Sequence, residues 1–194
     1  VDPFGVGIAP PVSFTEIFVR ENRLDEYGFK EWIFHPGMLF QSLEKWWGKG
    51  GSRPAPHEGL DLCCYRDGRD RTRRLDESAR IPVLYDGRVV RIIRDFLGES
   101  LMVEHPRFER KDARFVTIYG HVNPLGAIRT GVGVKEGEIV AVLADGSRSR
   151  SGVGPHLHVT LGWFSKNVPL ERLDWSRIAA PGTSRLLDPL PFVS

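Results

Sequence analysis

The sequence predicts a mainly β fold: an antiparallel sandwich or barrel-like hybrid core with a groove, preceded by short N-terminal helices. Two observations carry this. From His57 onward the chain runs through short segments, LDLCCY, IPVLY, GRVVRIIR, LMVEH, RFVTIYGHV, GEIVAVL and HLHVTLGWF, rich in Val, Ile, Leu and aromatics, the residue types that fit a pleated, half-buried surface. Turn sequences such as DG, DGS and PLG separate them, and few helical patterns intervene, which favours antiparallel pairing. At 194 residues and 41% hydrophobic composition the chain can bury a real core as one domain with added decoration.

Residues 1–50 have a different texture. Phe4, Phe14, Phe18 and Phe29 precede Glu31, and Trp32, Phe34, Phe40, Trp46 and Trp47 follow. Pro36 stands where a first helical turn tolerates proline, and Met38, Leu39, Ser42, Leu43, Trp46 and Trp47 recur at three- and four-residue spacings up to Gly48, so a helix is expected there. The aromatic stripe reads as core before it reads as a binding platform. Lys49–Pro56 (KGGSRPAP) is a linker by its Gly, Ser and Pro content. The expected division is thus an aromatic-rich helical extension, 1–50, and a β domain, 51–194.

Next come PHEGLDL and LDLCCY, in which His57 and Asp61 stand four residues apart at the start of a strand. The cysteines, Cys63 and Cys64, are sequence neighbours, a spacing that closes a disulfide only with strain. A CC pair is also a poor zinc site; Cys64 is expected in the core and Cys63 half-buried. Arg66–Arg80 mixes Arg66, Arg69, Arg71, Arg73, Arg74 and Arg80 with Asp67, Asp70, Asp76 and Glu77, a pattern that reads as a solvated loop. In RFVTIYGHV a period of two groups Thr117, Tyr119 and His121 against Val116, Ile118 and Val122. In the last clear strand Leu157, Val159, Leu161 and Trp163 alternate with His156, His158 and Thr160, so both histidines share the face away from the core. His105 and His35 are expected in a hairpin loop and at a structural or surface position.

Bulk properties exclude little but do exclude something. The formal charge is +2, from 27 basic and 25 acidic residues, too balanced for an electrostatic footprint on nucleic acid. No stretch approaches the ~18 apolar residues of a membrane-spanning helix. The chain begins at Val1, so the lack of a leader says nothing about compartment. A monomer is the default expectation.

Two histidines and an aspartate form a donor set that suits zinc, whose catalytic sites use three protein ligands and leave the fourth position open. Composition alone yields an HxH roughly one time in five and an HxxxD roughly one time in three; neither means much singly. Their order along the chain means more. HEGLD, IPVLYDGRVV, VTIYGHV, TGVGVKEGEIVAVL and GVGPHLHVTL together resemble, in sequence order from His57 to Trp163, the lysostaphin-type (LytM-like) zinc endopeptidases that cut peptides of bacterial cell walls. The resemblance implies that His57, Asp61 and His158 ligate Zn2+ and that His121 and His156 are the catalytic histidines, with Tyr119 a candidate for oxyanion support or substrate contact. It further implies an enzyme acting outside the cytoplasm on peptidoglycan peptide cross-links through metal-activated water. The arginine-over-lysine bias hints at a GC-rich bacterial source, in which D-Ala to diaminopimelate links are more expected than oligoglycine. The alternative reading is a non-catalytic or autoinhibited wall-binding or amidase-regulating module on the same scaffold. WWGKGGSRPAP and the charged run depart from the family pattern, and residues 1–50 are expected to buttress the β domain rather than to extend the groove or cover it.

Overall fold

The computed structural model describes residues 8–11, 13–108, 110–146 and 152–193; Phe4 lies outside them. The chain is mainly antiparallel β, as the residue texture predicts, but its sheets stay open. The principal sheet has nine strands. Its path runs β12 (Ser184–Leu187), β11 (Leu157–Ser165), β8 (Ala113–Pro124), β7 (Glu99–Glu104), β6 (Gly87–Arg94) and β9 (Gly133–Val134). β10 (Ile139–Leu143) joins β5 (Arg80–Pro82) to the far end of β8, and β2 (Leu60–Leu62) pairs with β11. A second, three-stranded sheet is made of β1 (Glu31–Ile33), β3 (Cys64–Arg66) and β4 (Thr72–Arg74).

β11 and β8 form the spine. Their register places Val159 beside Tyr119 and Trp163 beside Phe115 on one face, where these side chains enter the main core with Leu157, Leu161 and Leu101. On the other face Val116, Ile118, Met102 and Phe164 meet Leu170, Leu173 and Ile178, the last from the short helix α2 (Trp175–Ile178). The second face is covered at one end only. At the other end the histidine side of β11 is exposed to a groove, and β2 replaces β12 as its neighbour.

The first fifty residues contribute helix α1 (Phe14–Glu21) and packing. Ile8, Phe14, Phe18 and Leu24 lie in the main core, with Trp32 edge-on to Phe18 and Phe29 at 5.2 and 5.1 Å between ring centres. The helix expected after Pro36 does not form. A single 3-10 turn covers Pro36–Met38, Gln41 then takes a left-handed φ of 61°, and irregular chain follows with one bridge between Glu44 and Ser52. Gly37 makes this compact path feasible, because a Cβ there would lie 2.7 Å from the Trp46 nitrogen. The spaced apolar residues do not form one helix face: Met38 and Trp46 pack with the cysteines, Trp46 also lying edge-on to His156, while Leu43 is exposed.

Two further expectations change. The charged run is not simply a solvated loop: β3 and β4 form a hairpin around the buried Asp67, which accepts from the Arg69 and Arg71 N–H groups and the Arg71 and Arg73 guanidinium groups. Arg73 above all holds that carboxyl well below its usual range. Cys63, expected half-buried, is fully buried beside Cys64, their sulfurs 3.3 Å apart as free thiols. His35 is exposed.

Candidate metal centre

The β2–β11 register sets His158 directly opposite Asp61. The close approach depends on Gly59, where a Cβ would sit 2.2 Å from the Val159 carbonyl oxygen and 2.9 Å from His158 Nε2. His57 enters just before β2, and three donor atoms converge. His57 Nε2 lies 3.0 Å from His158 Nδ1, His158 Nδ1 lies 2.8 Å from Asp61 Oδ1, and His57 Nε2 lies 3.2 Å from the same oxygen. All three residues are buried.

The far side of each group is already committed. His57 Nδ1 donates to the Leu39 carbonyl at 3.0 Å, which leaves Nε2 as the lone-pair nitrogen. His158 Nε2 sits 2.9 Å from the Thr160 hydroxyl. Asp61 Oδ2 accepts from Trp46 Nε1 at 2.6 Å and from Arg53 Nη2 at 3.5 Å. Such outer partners fix tautomer and aim in metal sites. Burial, the largest influence on Asp61, opposes its charge, yet His156, His158 and His57 together hold its carboxyl well below the ordinary value. Burial likewise pushes His158 and His156 down to about 4, despite the attraction of Asp61.

The donor set passes a simple test of fit. In this closed triangle a single His158 Nδ1–H cannot serve both Asp61 Oδ1 and the His57 Nε2 lone pair, which face each other at 3.2 Å. A cation at its centre satisfies all three, and ligands of a tetrahedral zinc stand ~3.3 Å apart, near the observed 2.8–3.2 Å. His57, Asp61 and His158 could therefore hold a metal ion.

The structure brings His156 and His121 beside this triad. His156 Nδ1 donates to the Gly154 carbonyl at 2.9 Å, its ring lies edge-on to Trp46 at 5.1 Å, and its Nε2 is 3.9 Å from Asp61 Oδ1. The His121 ring lies tilted to those of His156 and His158, at 4.7 and 5.7 Å between centres. It arrives by an unexpected route. Gly120 pairs with His158, whereas Tyr119 pairs with Val159, so strict alternation would place His121 with Tyr119 in the core. Instead His121 adopts φ 63°, and β7 pairs Leu101 with Tyr119 but Glu99 with Val122, so one extra residue is absorbed in β8. This is a bulge, a device that re-aims a side chain. Tyr119 stays behind in the core, its oxygen accepting from the Leu84 N–H at 2.7 Å, away from the groove that was its expected place. His105 lies, as expected, in the hairpin connection from β7 to β8, but it is buried there, with Nδ1 3.0 Å from the Asp86 carbonyl and Nε2 3.0 Å from the Thr117 hydroxyl.

Above the histidines is a groove of about 490 Å³, walled by Trp47, Phe96, Trp175 and Val153, with Lys45 and Glu58 on its rim. Sequence reasoning missed Trp46 and Asp95 and left Arg53 without a role, though all three touch the site residues. Only Arg53 carried a signal, its place upstream of His57; Asp95 lies in a DFLG turn indistinguishable from any other hairpin connection.

No family model matches the chain, and no curated protein matches it. Among solved structures it is similar to a mutant of the catalytic domain of the prophage-encoded M23 protein EnpA from Enterococcus faecalis, with 21% identity over 70% of this chain and 86% of that one and a TM-score of 0.40. It is similar to lysostaphin, with 15% identity, 89% and 52% coverage and a TM-score of 0.47. A putative glycyl-glycine endopeptidase LytM from Ruminococcus gnavus gives 16% identity, 71% and 45% coverage and a TM-score of 0.44. The chain thus spans about half the length of the latter two. All three likenesses lie under 25% identity and below a TM-score of 0.5.

Proposed function

We propose that the chain is a zinc-dependent endopeptidase that hydrolyses peptide cross-links of bacterial peptidoglycan, with His57, Asp61 and His158 holding Zn2+ and His121 and His156 acting on the substrate. The observation that carries this reading is the triangle of ligating atoms at the floor of a groove, flanked by two further imidazoles. Zinc held there would polarise a peptide carbonyl and lower the pKa of a water molecule. The chain's own groups do the rest. His156, held down to about 4 by burial, is neutral near pH 7 and has Nε2 free to accept a proton. His121 stands across the same space, so the pair can serve one reacting group from two sides. Trp47, Phe96 and Trp175 shape a channel for an extended peptide. Such a substrate implies action outside the cytoplasm; among the described residues no helix is long and apolar enough to cross a membrane.

The test is to incubate the zinc-loaded protein with purified sacculi of several wall types and identify released fragments by mass spectrometry. Cleavage is expected, with His121→Ala and His156→Ala retaining zinc but losing about 100-fold or more in rate. Full zinc occupancy without cleavage of any wall type sinks the proposal.

A further inference from the structure

The turn Asp95-Phe96-Leu97-Gly98 between β6 and β7 touches no atom of the donor triangle, yet it closes on His121. The Asp95 side chain is 2% exposed. Its Oδ1 accepts from the Leu97 and Gly98 N–H groups at 2.9 and 2.8 Å. Its Oδ2 accepts from the Ser100 hydroxyl at 2.7 Å and from the His121 N–H at 2.9 Å. The direction of the Ser100 proton is settled by its neighbour, because Trp175 Nε1, which can only donate, occupies the same oxygen at 3.0 Å. Tightening the turn requires one acceptor oxygen; a buried second oxygen with a full charge needs another reason.

That reason lies at His121. Its left-handed backbone is costly for a non-glycine residue, and Asp95 anchors it by accepting its N–H, while its carbonyl accepts from Ala144 at 2.8 Å. The same carboxylate places Oδ1 3.2 Å from His121 Nδ1. That contact falls short of hydrogen-bond angle, and Nδ1 has no other polar partner; such bonds often straighten only when substrate is present. Phe96, 65% exposed, lies against the same ring at 4.5 Å between centres, so the imidazole is held by its backbone and by Phe96, with the Asp95 carboxylate beside Nδ1.

We propose that Asp95 is the positioning residue for His121: its carboxylate accepts a hydrogen bond from Nδ1–H, fixing the Nδ1–H tautomer and leaving Nε2 as the one ring nitrogen able to accept a proton in the groove. The significance for catalysis rests on the peptidase reading; the tautomer does not. Burial, the strongest influence on Asp95, opposes its charge, but His121 and Ser100 outweigh it and keep the carboxyl well below its usual range.

The experiment uses the zinc-loaded full chain labelled with nitrogen-15, in which long-range proton–nitrogen correlations report the His121 tautomer. Nδ1–H is expected in the wild type. In Asp95→Asn the two tautomers should mix, and turnover on sacculi should fall about 10- to 100-fold, with zinc per chain and the fraction bound to sacculi unchanged. Nε2–H in the wild type, or an Asp95→Asn protein with the same tautomer and turnover, overturns the inference. If Asp95→Asn does not fold, Ser100→Ala, which removes one donor to the carboxylate and keeps the turn, must show the same changes to a smaller degree; none there is equally fatal. A wild type that binds zinc but cleaves no wall defeats the peptidase reading, and the tautomer still decides this one.

Discussion

At the scale of single residues, aim matters more than identity. Trp46 is the clearest case: its indole N–H holds Asp61 Oδ2 at 2.6 Å while its ring rests on His156. Trp46→Phe keeps most of the packing and removes the donor. Zinc affinity, measured by competition with a chromophoric chelator, should weaken about tenfold or more; an unchanged affinity would show that the contact does not position the ligand. His105 makes a prediction about pH. Burial holds it down to about 4, below the ~6.5 of an unfolded chain. Between those values the unfolded chain binds a proton that the folded one refuses, so the contribution is present above about 6.5 and is lost as pH falls toward about 4, up to about 3 kcal/mol. Denaturation midpoints across that window should fall more steeply for wild type than for His105→Asn; parallel curves would refute it. That His156 and His158 both face the groove was readable from a period of two, although His156 stands one residue before β11. Asp95 and Trp46 were not, because their partners are 26 and 15 residues away and nothing local marks them.

At the scale of elements, the site is made by departures from regularity. The β2–β11 pair holds only three residues in register and tolerates no side chain at Gly59. Gly59→Ala should destabilise the protein by about 1–3 kcal/mol in urea denaturation and reduce bound zinc in the same preparation. A neutral effect would mean that β2 can shift without cost. The β8 bulge teaches the limit of pattern reading: alternation was right for Thr117 through Gly120 and failed one residue later, since a bulge leaves no compositional trace. The helix expected after Pro36 failed for a related reason. Its spacing joined Met38 and Trp46, which pack with the cysteines, to the exposed Leu43, and Gln41, in mid-run, takes a left-handed conformation that a helix interior does not accommodate.

At the scale of the molecule, the division into an extension, 1–50, and a peptidase domain, 51–194, becomes a proposal about support. Phe14, Phe18 and Leu24 lie in the same core as Leu60, Leu157 and Val159, Asn22 bonds both the N–H and the carbonyl of Arg80, and the Tyr85 hydroxyl donates to the Ala9 carbonyl. Leu39 and Trp46 serve the candidate metal site directly. We therefore expect deletion of residues 1–50 to abolish cooperative unfolding, followed by circular dichroism. A truncated chain that folds and cleaves walls faster would make the segment an inhibitory cover. The central claim is the identity of the metal's ligands, and X-ray absorption of the zinc-loaded protein reads it directly. The expected first shell is nitrogen and oxygen at about 2.0–2.2 Å, with the multiple scattering of two imidazoles from His57 and His158. A sulfur shell at about 2.3 Å, pointing to Cys63 and Cys64, or an inability to load zinc at all, would contradict the account.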